Sequence, residues 1–278
     1  MMMYIRKPDL DTVFTAFLLD WRERDEVRLV HGQAPAGALA NPDIFCIECG
    51  GAGQIALGNF DHHNTPLSLP PACLQALHWQ EPADPLLWEW AEYVAAVDVG
   101  RPLPVRPDGW TLSKLFSGLR LNIPAPLAQF RAGIKLCRQV TVLGCRPGEP
   151  LPLRPEWEPY RQAKERLCLK LERYACRTVF FRTHQGRLGG FLETSLPGVH
   201  GLLRRLGCQV SIAQGISQTG TPVVTIASQE VDLRPFLAHL NHLELGWGGP
   251  SHGQIIASPP AGSNLLKDQL LALIMRKF

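Results

Sequence analysis

Asp61, His62 and His63 stand side by side in this chain, shortly after the turn-forming residue Gly58. An apolar core seldom requires two imidazoles beside a carboxylate, but a site for a divalent metal and a phosphate does. One imidazole can bind the metal, the carboxylate can fix a ring tautomer, and the other imidazole can face an anion. The cluster therefore predicts a metal-dependent phosphate site.

Two acids near the start of the chain, Asp9 and Asp11, could belong to the same site. In an extended turn, side chains at positions i and i+2 point to the same side, so each could offer a carboxylate oxygen to a metal. The alternative is a helix N-terminus, with Asp11 or Thr12 as the N-cap and Asp9 exposed to solvent. Both interpretations are compatible with the sequence.

Glu48 and Asp98 are acids at the ends of otherwise apolar runs, 44–47 and 94–97. Burying a carboxylate is unfavourable unless it is paired or binds a cation. Carboxylates and imidazoles without organised thiolates suit Mn²⁺, Mg²⁺, Fe²⁺ or Zn²⁺. Such a cluster holds one or two ions that bind phosphoryl oxygens and lower the pKa of a bound water.

The eight cysteines are scattered, and only Cys46 and Cys49 have a spacing that could bind zinc or support redox chemistry. The run 44–47 predicts a buried strand, in which side chains at positions i and i+3 point to opposite faces. We therefore interpret both cysteines as packing thiols, with a zinc or redox role as the alternative.

Composition places the chain among ordinary globular proteins. It has 278 residues, 45% hydrophobic and 19% charged, with a net charge of +3, enough length for two modest domains. This charge is too small to imply a nucleic-acid or membrane partner by itself. We find no signal-peptide pattern and no 18-residue apolar stretch, so we expect a reduced, cytoplasmic protein without a membrane span.

Apolar patterns alternate between strands and helices in the first half of the chain. We predict strands at 2–5, 27–30 and 44–47, and helices at 12–21, 85–97, 112–119 and 125–143. This order predicts an α/β fold with a mostly parallel, doubly wound N-terminal sheet. Ligands of such sheets collect at the carboxyl ends of the strands, where these acids and histidines fall.

A Pro-rich stretch at 145–152 precedes a second, smaller α+β domain. We predict a long charged helix at 159–174, then strands at 178–182, 188–193, 209–213 and 223–227, and helices at 199–206, 234–243 and 264–275. The predicted ranges are 1–145 for a metal-binding domain, 146–176 for a linker and connecting helix, and 177–278 for a substrate-binding domain.

Four motifs resemble, in order and spacing, those of the DHH phosphoesterase superfamily. They are Pro8-Asp9-Leu10-Asp11, Glu48-Cys49-Gly50-Gly51, Asp61-His62-His63 and Val97-Asp98. The segment 246–253, Gly-Trp-Gly-Gly-Pro-Ser-His-Gly, is similar to the glycine-rich loop of the family's DHHA1-type C-terminal domain. The resemblance extends over nearly the whole chain.

The resemblance implies a set of metal ligands. Asp11, His62 and Asp98 would bind one ion, Glu48 would bridge it to a second, and Asp9 would belong to that second ion. The implied cofactor is a divalent metal, Mn²⁺ first and Mg²⁺ or another ion as alternatives, with one or two ions bound.

The resemblance also implies catalytic residues. His63 would contact the scissile phosphate, and Asp61 would orient the ring of His62. A substrate-binding role would fall to four residues of the glycine-rich loop, Gly248, Gly249, Ser251 and His252. Without the resemblance, His252 is interpreted as a surface turn residue.

Two departures from the family's pattern affect the second ion. Ile5 stands where the first motif has a histidine, and Glu48 stands where the second motif has an aspartate. Both changes weaken the same metal position, whereas the ligand set of the first ion is complete.

The implied function is that of a metal-dependent phosphohydrolase. It would cleave a small phosphodiester or phosphoanhydride by metal-activated water, with a short oligonucleotide, a cyclic dinucleotide or a related nucleotide as substrate. The alternative is an impaired family member that binds metal and nucleotide, or a protein partner, without turnover. No membrane partner is expected, and a homodimer is compatible with the sequence.

Overall fold

The computed structural model describes residues 1–101, 109–217, 220–228, 230–249 and 253–277. The chain forms two compact units, Met1–Glu165 and Arg166–Phe278. The division falls inside a long helix, Glu158–Ala175, and within the predicted connecting stretch 146–176. The roles assigned to the three predicted ranges stay predictions.

The first unit contains a four-stranded sheet. Its strands are β1 Met2–Ile5, β2 Glu26–Leu29, β3 Ile44–Ile47 and β4 Asn59–Phe60, in the spatial order β2-β1-β3-β4. All three pairings are parallel, with Met2 opposite both Glu26 and Ile44, and Cys46 opposite Asn59. Parallel alignment brings the carboxyl ends of the strands to one edge of the sheet.

Apolar side chains cover both faces of this sheet. In β1, Met3 and Ile5 lie in the larger core of the unit, whereas Tyr4 lies in a smaller cluster. In β3, Ile47 lies in the larger core and Cys46 in the smaller cluster. Because adjacent residues of a strand point to opposite faces, both faces are buried, which explains the continuous apolar runs in the sequence.

The larger core is built by helices packed against the sheet. The helices of the first unit are α1 Leu10–Leu18, α2 Ala36–Leu39, α3 Ala72–Gln80, α4 Pro85–Asp98, α5 Leu112–Asn122, α6 Pro126–Val142 and the start of α7 Glu158–Ala175. Helix α1 contacts α3, α4 and α6. A Cβ atom on Gly133 of α6 would lie 2.9 Å from Val13 Cγ1, so the glycine permits this close approach. The packing fixes the first turn of α1, where Asp11 lies.

The second unit is α+β. Its strands are β5 Val179–Arg182, β6 Leu188–Glu193, β7 Val210–Ile216, β8 Pro222–Ser228 and β9 Ile255–Ala257, in the order β5-β6-β7-β8-β9. The β6–β7 pairing is parallel and the other three are antiparallel. Its helices are α8 Val199–Arg205, α9 Arg234–Leu243 and α10 Lys267–Lys277. The predicted fold class, a parallel N-terminal sheet with a second α+β domain, is confirmed.

Several elements depart from the predictions. Helix α1 ends at Leu18 and not at residue 21, and α2, α3, β4 and β9 were not predicted. Residues 72–77 of α3 are all buried, so this helix lacks the polar face that marks an amphipathic pattern. Strand β4 has two residues and is too short for a periodic signal.

The Pro-rich stretch 145–152 lies in the first unit and packs there. Leu151 is buried in the larger core, and its N–H donates to the Trp110 carbonyl at 2.8 Å. The indole N–H of Trp90 donates to the carbonyl of Cys145, also at 2.8 Å. Proline in this stretch therefore ends regular structure without freeing the chain from the core.

Cys46 and Cys49 lie in the same small cluster, which corrects the expectation that they point to opposite faces. Strand β3 ends at Ile47, and Glu48 has a φ of 54°, in the left-handed region. This turn returns Cys49 to the face of Cys46, where its thiol contacts the Tyr4 carbonyl at 3.4 Å. Neither cysteine belongs to a candidate metal-ligand group within the described residues.

None of the helices in the described part of the chain combines the length and apolar character needed to cross a bilayer.

Candidate metal centre

The predicted site residues gather at the carboxyl edge of the parallel sheet. Asp11 follows β1, Glu48 follows β3, and His62 follows β4. Asp98 is the last residue of α4. One oxygen or nitrogen atom from each of these four residues lies within 4.8 Å of the others, which makes them a candidate ligand group among the described residues.

Glu48 is the most buried member, with 1% of its surface exposed. Its Oε2 accepts a hydrogen bond from Thr12 Oγ1 at 3.2 Å. Its Oε1 has no hydrogen-bond partner in the described part of the chain and lies 3.8 Å from His62 Nδ1. Burial, with the charges of Asp9 and Asp11, raises the pKa of Glu48 to about 10. A carboxylate in such a place stays ionised at neutral pH only beside a compensating cation.

Asp11 is anchored by the start of helix α3. Its Oδ2 accepts from the backbone N–H of Ala72 at 2.9 Å, and its Oδ1 accepts from that of Cys73 at 2.8 Å. Burial raises the pKa of Asp11 to about 6, and the charge of Asp98 acts in the same direction. The two amides hold the carboxylate in one orientation at a helix N-terminus, where negative charge is favoured.

His62 lies between acids. Its Nε2 is 3.3 Å from Asp98 Oδ2, while its Nδ1 is buried and has no hydrogen-bond partner within the described residues. Burial lowers the pKa of His62, but the hydrogen bond with Asp98 and the charge of Asp11 outweigh it, so the net shift is upward. His62 therefore lies in a strongly negative environment, as expected of a cation site.

Asp61 contacts His63, which corrects the expected contact with His62. Its Oδ1 accepts from the His63 backbone N–H at 2.8 Å and lies 3.0 Å from His63 Nδ1. Its Oδ2 accepts from the Gly50 N–H at 2.6 Å. Burial by itself would raise the pKa of Asp61, but these hydrogen bonds lower it by more. The net shift of the pKa is downward, so the carboxylate is ionised. An ionised carboxylate only accepts, so His63 Nδ1 carries a proton and Asp61 fixes that ring.

The His63 ring lies against His62, with ring centroids 4.1 Å apart and an angle of 32° between the planes. With Nδ1 held by Asp61, the Nε2 edge is the remaining polar edge of the ring. His63 Nδ1 is also 3.7 Å from Glu48 Oε1, and Glu48, His62 and His63 form a second candidate ligand group among the described residues.

Asp9 lies apart from the four-residue group. It is the N-cap of α1, with Oδ1 accepting from the Thr12 N–H at 3.0 Å, and Lys7 Nζ lies 2.7 Å from its Oδ2. Burial by itself would raise the pKa of Asp9, but the positive charge of Lys7 outweighs it, so the net shift of the pKa is downward. The alternative in which Asp11 or Thr12 caps the helix is therefore wrong, and Asp9 serves as the cap. Its role as a metal ligand stays a prediction.

The four-residue group fits a divalent metal. Glu48 Oε1 and His62 Nδ1 face each other without partners in the described chain, beside the carboxylates of Asp11 and Asp98. Buried polar atoms are rarely left unpaired, so this pair requires a cation or another polar group. Three carboxylates and one imidazole are ligands that suit Mn²⁺ or Mg²⁺.

The glycine-rich loop belongs to the second unit. The N–H of Gly248 donates to the Ala257 carbonyl at 3.0 Å, so this amide is already paired. A Cβ atom on Gly249 would lie 2.3 Å from the Ile255 carbonyl oxygen, so packing alone requires glycine there. Ser251 and His252 lie outside the described residues. The substrate-binding role of these four residues stays a prediction.

Sequence reasoning did not identify two residues that organise the centre. Lys7 contacts Asp9, and Thr12 donates to Glu48. The contact of Lys7 could have been predicted, because the lysine stands only two positions before Asp9 and a cation close to a predicted acid cluster tends to pair with it. No local pattern marks Thr12, because its partner is 36 positions away.

No protein-family model and no curated protein matches the chain. Among solved structures, the chain is similar to the pGpG-specific phosphodiesterase PggH from Vibrio cholerae, with 16% identity and a TM-score of 0.60. The match covers 92% of each chain. A weaker match, with 10% identity and a TM-score of 0.43, is to a DHH domain described as a member of the s1p family of ribosomal proteins, and it covers 92% of this chain and 82% of that one. The likeness to PggH is a likeness of fold, and it agrees with the fold that the motifs implied.

Proposed function

We propose that this chain is a metal-dependent phosphohydrolase that cleaves a small phosphodiester or phosphoanhydride. Its fold is similar to that of PggH, and its motifs resemble those of the DHH phosphoesterases. One observation carries the proposal. Glu48 Oε1 and His62 Nδ1 are buried, lie 3.8 Å apart, and have no hydrogen-bond partners among the described residues, in a group with two further acids. A purely structural core would not leave both atoms unpaired.

The ion would be held by Asp11, Glu48, His62 and Asp98, with Mn²⁺ as the first candidate and Mg²⁺ as the second. When bound, such an ion supplies Lewis acidity, because it lowers the pKa of a bound water and offsets charge on phosphoryl oxygens. The protein contributes the fixed geometry. Amides of α3 orient Asp11, and Thr12 orients Glu48, so the ligands need little rearrangement.

His63 would bind the phosphate. Asp61 accepts from Nδ1, which directs the Nε2 edge of the ring away from Asp61. In its protonated form the ring can donate from Nε2 to a phosphoryl oxygen while Nδ1 keeps its contact with Asp61. Asp61 is therefore a positioning residue for His63, and His63 is the proposed catalytic contact.

The substrate class is a short oligonucleotide, a cyclic dinucleotide or a related nucleotide. The name of PggH says that it acts on pGpG, so the linear dinucleotide pGpG is the first compound to test on this chain. A cytoplasmic location and a homodimer stay predictions.

The test is hydrolysis of a substrate panel by the purified protein loaded with Mn²⁺. The panel holds pGpG, a cyclic dinucleotide, pyrophosphate and bis-p-nitrophenyl phosphate, and mononucleotide or phosphate release is measured by chromatography. We expect His62→Ala and Asp98→Ala to abolish activity. The exposed His31, changed to Ala, is a matched control and should keep full activity. Hydrolysis that survives both site variants would place the chemistry elsewhere.

A second candidate function is binding of metal and nucleotide without turnover. The ion pair between Lys7 and Asp9 favours it, because it occupies an acid that a second metal ion would otherwise bind. Calorimetric titration with pGpG in the presence of Mn²⁺ separates the two functions. Binding without any product over hours would support the second candidate and exclude the first.

A further inference from the structure

Lys7 brings a positive charge to the edge of the acid cluster. Its Nζ lies 2.7 Å from Asp9 Oδ2 and 4.0 Å from Glu48 Oε2. The side chain is 52% exposed, whereas that of Glu48 is fully buried. The lysine therefore extends its charged end from solvent towards two acids.

The two oxygens of Asp9 have different partners: Oδ1 accepts a hydrogen bond, whereas the buried Oδ2 has an ion-pair contact but no hydrogen bond among the described residues. The Thr12 N–H donates to Oδ1 at 3.0 Å, and the Lys7 ammonium lies against Oδ2. An ammonium carries three donors and no acceptor, so it compensates a carboxylate but cannot bind a metal ion in this form. Asp9 thus has a cation as its partner already.

Glu48 faces two cation positions. Its Oε1 points towards His62 and His63, at 3.8 and 3.7 Å from their Nδ1 atoms. Its Oε2 points towards Thr12 and Lys7. Oε1 therefore lies beside the two histidines, and Oε2 lies beside Thr12 and the Lys7 ammonium.

We propose that the Lys7 ammonium is the second cation of this centre. It offsets the negative charge of Asp9 and lies near Glu48 Oε2. It thereby restricts the protein to one divalent ion, and it supplies a second positive charge for an anionic phosphate substrate. The substrate part of this inference rests on the proposed function, but the number of ions does not require turnover.

The charge balance of the cluster supports this assignment. Asp9, Asp11, Glu48 and Asp98 carry four negative charges when ionised, and one divalent ion offsets only half of them. A cluster that stays this negative repels a phosphate. Lys7 offsets one further charge without needing a ligand set of its own.

The test is the number of Mn²⁺ ions bound per chain, measured by equilibrium dialysis with electron paramagnetic resonance of free Mn²⁺. Wild type, Lys7→Arg and the exposed neighbour control Arg6→Met should each bind one ion. Lys7→Met removes the ammonium and keeps an apolar stem. This variant should bind a second Mn²⁺, more weakly than the first, because Asp9 Oδ2 and Glu48 Oε2 lose the ammonium while Ile5 supplies no ligand to that position.

Two ions in the wild type, or one ion in Lys7→Met, would overturn the proposal. If Lys7→Met does not fold by circular dichroism, Lys7→Gln replaces it with the same expectation. Absence of bound Mn²⁺ in every variant would contradict the proposed function as well, whereas two ions in the wild type would contradict the Lys7 assignment alone.

Discussion

The carboxylate of Asp11 accepts a hydrogen bond from the backbone N–H of Cys73 at 2.8 Å, across 62 positions of the sequence. The second oxygen of Asp11 accepts from Ala72 in the same turn. A residue of α1 therefore serves as the N-terminal acceptor of α3, while it faces the candidate metal group. One side chain therefore both caps α3 and belongs to the candidate metal group.

Replacing Asp11 by Asn should remove metal-dependent stabilisation. The amide presents one acceptor and one donor group to two backbone donors, so one α3 N–H loses its partner, at a cost of about 1–3 kcal/mol. Mn²⁺ at about 100 times its dissociation constant should stabilise the wild type by about 2.7 kcal/mol and leave Asp11→Asn unchanged. Thermal unfolding with Mn²⁺ and with EDTA measures both effects. The exposed Asp20, changed to Asn, should respond to Mn²⁺ like the wild type.

Replacing Glu48 by Gln should stabilise the metal-free protein and abolish metal binding. Burial and the neighbouring acids disfavour the ionised form of Glu48, and a neutral amide of the same shape avoids this penalty. At pH 7 the folded protein must keep Glu48 protonated, whereas the unfolded chain ionises it, so we expect a gain on the order of 1–3 kcal/mol without metal. Urea unfolding in EDTA measures the gain. A less stable Glu48→Gln protein would show that Thr12 and Lys7 already compensate the charge.

The two adjacent histidines should respond differently to alanine substitution. His62 belongs to the four-residue candidate group, so His62→Ala should weaken Mn²⁺ binding strongly. His63 is held by Asp61, so His63→Ala should keep the bound ion and lose activity by about 10²–10⁴-fold, the range for a positioned proton donor. Mn²⁺ titration and hydrolysis rates on the same preparations separate the effects. Loss of the ion in His63→Ala would instead support the second candidate group, Glu48, His62 and His63.

His200 in the second unit should make stability fall with acid. Its Nδ1 and Nε2 lie 2.7 Å from Ser211 Oγ and 2.8 Å from Thr225 Oγ1. Burial, with the charge of Arg204, lowers the pKa of His200 to about 4 from its usual 6.5. Between these values the unfolded chain binds the proton and the folded chain does not, so stability decreases as pH falls.

His200 should lower the free energy of unfolding by about 2 kcal/mol between pH 7 and pH 5. Most carboxylates are still ionised in this pH range. His200→Gln should flatten this slope, and the exposed His184, changed to Gln, should not. Hydrogen exchange of the β7 and β8 amides reports the second unit directly. An unchanged slope in His200→Gln would mean that another group causes the acid sensitivity.

Much of this fold could be predicted because local patterns determine it. The apolar runs of β1 and β3 and the capped, periodic helices α4 and α5 were predicted within a few residues. Helix α3 was missed because burial on nearly all sides removes the amphipathic period. Because α3 was not predicted, the backbone N–H groups that bind Asp11 could not be predicted either.

The predicted ligands converge, but their neighbours could not be derived from the sequence. Parallel strands place Asp11, Glu48 and His62 at one edge, so their proximity follows from the topology. Whether Asp61 fixes one histidine or the other depends on the turn after β4, which no periodicity encodes. The Lys7 contact with Asp9 likewise depends on the path of the loop before α1.

Among the four candidate ligands, Asp98 differs in its position in the fold. It is the last residue of α4, and 21% of its side chain is exposed, whereas the side chain of Glu48 at the edge of the sheet is fully buried. The final turn of a helix opens at a far lower free energy than a core strand does. A metal ion held here would therefore exchange by opening at Asp98, with a residence time set by fraying of the helix end and not by unfolding of the sheet.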